Sequence, residues 1–113
     1  MRFADITDGQ SNTLMVGEKH VPLGRFGIGW LDSSTYNGNY TPPTCRAAGP
    51  DAPLVASFSY YELDMPAVFG SYHPGICQFV FCDGSVHALP VTIDLVTLGR
   101  LACRNDGEPI PEY

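Results

Sequence analysis

Apolar and polar positions change period along this chain, and the changes mark its elements. From Gln78 to Cys82 the run Gln-Phe-Val-Phe-Cys is aromatic and β-branched, and Ser85 to Leu89 alternates again. Between them stands Asp83-Gly84, a hairpin turn signal when it lies between two strand-like runs. Phe79 and Phe81 fall on one face of this strand and Val80 on the other, so at least one face is expected to be buried. Upstream, Thr13 to Val16 reads as a short buried strand ended by Gly17, after the turn-rich Asp8-Gly9 and Ser11-Asn12. Near the end the period becomes helical: Leu95, Leu98, Leu101 and Ala102 form one stripe. Thr92 or Asp94 is the candidate N-cap after Pro90, and Asn105 to Gly107 is the stop signal. Arg100 and Arg104 near that end suit the helix dipole, while Gly99 weakens the helix by about 1 kcal/mol relative to Ala.

The middle of the chain is less regular. Phe26 to Leu31 is a candidate strand and Asn37-Gly38 a further hairpin-type turn. Residues 41 to 57 form a Pro-rich stretch, expected to be an exposed excursion that needs tying down, for which Cys45 is the available group. These elements predict one α+β domain over residues 1–113: an antiparallel sheet of about four to six short strands and one C-terminal helix.

Composition fits this picture. The 113 residues are 44% hydrophobic and 16% charged, a globular balance, and 12 glycines with 10 prolines predict many turns and little helix. Six basic and twelve acidic residues give a net charge of -6 with no Lys/Arg cluster, which argues against nucleic-acid binding. No apolar run approaches the ~20 residues of a membrane-spanning helix, and Met1 opens no signal peptide. The even set Cys45, Cys77, Cys82 and Cys103 allows three disulfide pairings or buried thiols; a direct 77–82 bridge is excluded if both lie on one strand.

Several side chains are candidates for chemistry. His73 lies in a Pro74-Gly75 loop, ten positions before Asp83 with nine residues between them. Its expected role is structural, folding back to hydrogen-bond the Asp83-Gly84 turn, with Asp83 itself serving as a turn carboxylate. His87, on the outgoing strand, carries no ligand signal. A zinc set of His73, Cys77, Cys82 and Cys103 is weighed and set aside, because a strand would separate the sulfurs. Calcium has weak oxygen candidates in Asp5, Asp8, Asn12 and Glu18, or in Asp106 and Glu108, none at EF-hand spacing. Ser11, Ser71 and Ser85 lack a nucleophile elbow. Trp30, Tyr36, Tyr40, Tyr60 and Tyr61 are candidates for a ligand groove or for packing. No catalytic residue is assigned, and no cofactor is expected beyond a low-ranked calcium ion.

Two segments resemble a known family. The first is Ile6-Thr-Asp-Gly-Gln-Ser-Asn-Thr13 with Gly17-Glu18, and the second is His73, nine residues, Asp83-Gly84 and Ser85-Val86. In this order they resemble the DUF1559 family, prepilin-like and type II pseudopilin-related proteins typical of Planctomycetes. The resemblance marks Asp8, Gly9, Asn12, His73, Gly75, Asp83 and Gly84 as motif positions. It implies a pseudopilin-like head. It also implies an extracytoplasmic, non-enzymatic structural or assembly subunit of a type II secretion or pilus-like system. The implied partners are other pilin-like or secretion-system subunits, and the implied membrane contact runs only through an N-terminal helix absent from this chain. An extracytoplasmic module binding a carbohydrate or small molecule, through Trp30, Tyr36 and Tyr60, is the alternative. A disulfide from Cys45 to Cys103 or Cys82 would suit an oxidising compartment.

Overall fold

In the computed structural model the described residues are 1–22, 24, 26, 27, 32, 45–55 and 67–113. Their sheet is antiparallel with order β1 (Leu14–Gly17), β2 (Ile76–Phe81), β3 (Val86–Pro90), and one α-helix follows, α1 (Leu95–Leu101). Short 3₁₀ turns at Phe3–Asp5 and Gln10–Asn12 precede β1. The arrangement is α+β as the sequence predicts, with three strands among the described residues instead of four to six.

The β2–β3 hairpin forms where the alternation places it. Phe79 pairs with His87 and Val80 with Val86, so residues of one face stay together across the ladder. The turn is longer than a two-residue Asp-Gly connection. A two-residue type I′ turn would need positive φ at Asp83 as well, yet among the described residues only glycines take positive φ. Instead the Phe81 carbonyl accepts from Gly84 N, the Phe81 N–H donates to Ser85 O, and Gly84 alone turns left-handed at φ +85°.

Cys77, Phe79 and Phe81 point inward from β2 and join Leu54, Leu89, Ile93, Leu98 and Leu101 in the core. Each such buried side chain stabilises the fold by about 1.5–3 kcal/mol through removal from water. Asp94 caps α1, its carboxylate accepting from both the N–H and the hydroxyl of Thr97 at 2.9 Å. These two bonds hold the Asp94 carboxyl below the usual range. Of the predicted stripe, Leu98 and Leu101 are buried and Leu95 packs against the core, but Ala102 is exposed. The helix ends at Leu101, short of Asn105, so Arg104 lies beyond it and binds the N-terminal segment instead.

Two expectations of burial reverse. Among the described residues β1 is an edge strand, with Met15 and Val16 exposed, and its register shifts between Leu14 and Val16. Leu14 still reaches the core and Gly17 pairs with Phe79, so the bulge turns Met15 and Val16 outward. Conversely, the described part of the Pro-rich stretch is not a loose excursion. Ala47 bridges Val68, Val55 bridges Gly70, and Leu54 is buried in the core. Backbone pairing and one leucine tie it down, while Cys45 is exposed and none of the four cysteines is joined in a disulfide.

Candidate functional site: two motifs joined at the ends of the hairpin

The first motif segment runs as a strap that touches three separate parts of the chain. At its start, Thr7 N and Asp8 N both donate to Arg104 O, and Arg104 Nη1 returns a bond to Asp5 O at 3.0 Å. The Asp8 carboxylate then caps the tail, Oδ2 accepting from Asp106 N at 2.9 Å and Oδ1 from Gly107 N at 3.0 Å. Gly9, at φ +96°, turns the strap; Asn12 Nδ2 donates to Asp8 O and the buried Thr13 donates to Gly9 O. In its middle, the strap meets the hairpin turn, where Asp83 N donates to Gln10 O and Cys82 N to Thr13 O.

At its far end the strap meets the loop of His73. Gly17 fits beneath two rings: a Cβ there would stand 2.4 Å from Phe79 Cε1 and 2.7 Å from Phe69 Cδ1. Those rings meet edge-on at 5.2 Å. Glu18 follows at once. Its Oε1 lies 3.1 Å from His73 Nε2, and its Oε2 accepts the Gln78 N–H at 2.7 Å. His73 therefore joins the other motif through Glu18, a partner 55 residues away, and not through the Asp83-Gly84 turn. That turn sits at the opposite end of β2 from Gly75, whose carbonyl accepts from Val91 N beside Pro90. Ser71, also buried, shapes this loop by donating to Ile76 O and accepting from His73 N at 3.1 Å.

The Asp83 turn holds its own chain of contacts. Asp83 Oδ1 accepts from Ser85 Oγ at 2.5 Å and from Ser85 N at 2.9 Å, and Ser85 Oγ lies 2.9 Å from His87 Nε2. A hydroxyl has one proton. With it directed to Asp83 at the shorter distance, His87 donates to Ser85 and does not deprotonate it. The arrangement braces the turn. These Ser85 bonds hold the Asp83 carboxyl below its usual range. The His87 ring rests edge-on against Phe81 at 4.7 Å.

The metal readings meet different geometry. Cys77 faces the core, and its burial first, then the nearby Glu18, push the thiol up to about 12, so it is no thiolate at neutral pH. Cys82 lies beyond the strand end, its thiol also raised by burial. Among the described residues, Asp8, Cys103 and Asp106 bring ligand atoms within 4.8 Å of one another. The two Asp8 oxygens already cap Asp106 and Gly107, and Asp106 caps Glu108 N at 2.9 Å, which accounts for the carboxylates as turn braces. Of the calcium candidates, Asp5 accepts from Arg2 N, Asp8 from the tail, and Glu18 from Gln78, each in a different place. Trp30, Tyr36, Tyr40, Tyr60 and Tyr61 lie outside the described residues, as do the Asn37-Gly38 turn and residues 28–31 of the candidate strand.

The remaining feature is the outer face of the sheet. Val16 pairs with Val80 and Val80 with Val86, so three valines cross all three strands in one row. Val16 is 56% exposed and Val86 64%, with Ala88 exposed beside them. Among the described residues no helix is long and apolar enough to cross a membrane.

Among the described residues, a three-stranded sheet with one packed face, an apolar outer face and a motif strap braced by carboxylates makes a small α+β fold. The chain belongs to the DUF1559 family: the family model, described as a protein of unknown function, matches residues 1–96. That span takes in both motifs and stops before the Asp106-Gly107 tail. No curated protein and no solved structure matches the chain.

Proposed function

We propose that this chain is the head of a pilin-like assembly subunit that works outside the cytoplasm, without catalysis and without a cofactor. The observation that carries the reading is the exposed valine row Val16–Val80–Val86. Three strands span two inter-strand spacings, about 10 Å. That is the width of one α-helix, about 10–12 Å. That width suits a helix, and in this reading the occupant is an apolar helix of a pilin-like subunit laid over the outer face of the sheet, with secretion-system or pilus-like subunits as partners. The motif residues support such a role by their use as braces: Asp8, Glu18, His73 and Asp83 each hold backbone or one another.

Changing Val16 and Val86 together to Lys tests this. Both side chains are mostly in water, so the variant folds and melts close to the parent. In the native host the parent is expected in the membrane fraction, digestible by protease added from outside the inner membrane and associated with pilin-like subunits, and the double variant loses that association. Parent protein confined to the cytosol, or a double variant that associates as the parent does, overturns the reading.

A further inference from the structure

His20 stands on a seam between three stretches of chain. Its N–H donates to Val68 O at 3.2 Å, Lys19 bridges Phe69, and Gly70 N donates to Glu18 O at 3.0 Å. On the other side of residues 67–70, Ala47 pairs with Val68 and Val55 with Gly70. The His20 ring is enclosed here at 4% exposure, and neither Nδ1 nor Nε2 has a hydrogen-bond partner. Its Cβ lies 3.0 Å from where a Cβ on Gly70 would stand.

Among the described residues the charges that face this ring are few. From the 45–49 stretch comes Arg46, which acts on His20 with like sign. The 67–71 stretch brings Ala67, Val68, Phe69, Gly70 and Ser71, none of them titratable near neutral pH. On its own stretch, Glu18 is engaged by His73 and the Gln78 N–H, and Lys19 by Asp32 at 2.8 Å. The Tyr72 phenol donates to Val21 O. A proton added to the ring would thus make a buried cation with two donors, no acceptor among the described residues and an arginine nearby, which the closed seam disfavours.

We propose that His20 is an acid-sensitive latch: protonation of its ring opens the seam joining residues 18–21, 45–55 and 67–70 while the β2–β3 hairpin stays paired. Burial first and Arg46 second lower its pKa from 6.5 in the folded protein. The sign follows. The seam is fully stable above the unfolded value, loses stability as pH falls from 6.5 towards the lowered folded value, and changes no further below it. Within that window the opening constant rises by up to about tenfold per pH unit.

Hydrogen exchange of the full chain, corrected for intrinsic rates, reads this at the His20, Val55 and Gly70 amides. Their opening constants are expected to climb below 6.5 in the parent and in His73→Gln and His87→Gln, and to stay flat in His20→Phe, with the Phe81 and Val91 amides flat throughout. The same climb in His20→Phe, or hairpin amides opening with the seam, overturns the latch. Should His20→Phe fail to fold, proton NMR titration of the parent decides: a His20 pKa below 6.5 supports the latch, and one at or above 6.5 overturns it.

Discussion

Replacing Gly17 by Ala measures how tightly the strap is seated. The added Cβ would stand 2.4 and 2.6 Å from two Phe79 ring atoms and 2.7 Å from Phe69. All three are far inside van der Waals contact, and Phe79 is fully buried on the central strand, β2. Overpacking of this kind costs about 1–3 kcal/mol. Alanine recovers about 0.5–1 kcal/mol because glycine loses more backbone freedom on folding. Two rings obstruct the methyl, which places the strain near the top of that range, about 3 kcal/mol, and leaves a net loss of about 2–2.5 kcal/mol. For a domain of this size that lowers Tm by roughly 5–15 °C, read by calorimetry or circular dichroism. Adding Phe69→Leu opens room on one side, so the double variant is expected to cost less than the sum of the two single changes. A Gly17→Ala protein melting within about 2 °C of the parent refutes the packing argument.

Other carboxylates and thiols give separate tests. Asp8→Ala removes the carboxylate that accepts from the exposed Asp106 and Gly107 amides and costs about 0.5–1.5 kcal/mol, with faster exchange of those two amides as its signature. Asp94→Asn lowers Tm at neutral pH; because the Asp94 carboxyl is held below 3.8 in the folded protein, the parent's advantage is present above that value and vanishes as pH falls through the lowered one, which melts taken across acid pH will trace. In native protein a thiol reagent is expected to modify the exposed Cys45 first, and Cys77 only after denaturant is added.

Features set by neighbours along the chain were legible from sequence. The hairpin follows from alternation around Asp83-Gly84, and the helix start from Asp94 followed by the Leu98 and Leu101 stripe. Bonds between distant residues left no such trace. Glu18 and His73 are 55 residues apart, and Asp8 meets Asp106 across 98. No periodicity encodes either meeting, so His73 was expected to turn back to the nearer Asp83. The exposure of Val16 was hidden for a related reason: a short apolar run reads as buried, and only the bulge in β1 turns it outward. Leu54 lies in a Pro-rich stretch whose composition says loop, although its side chain belongs to the core.

The central claim, a head that docks through its open sheet face, is tested most directly by a photo-crosslinking residue at Val86, compared with one at exposed Ala102. In the native host the account predicts crosslinks from position 86 to the apolar helix of a pilin-like subunit, identified by peptide mass, and none of that product from position 102. Equal yields of that product from both positions, or a position 86 that never reaches a pilin-like helix, would contradict it.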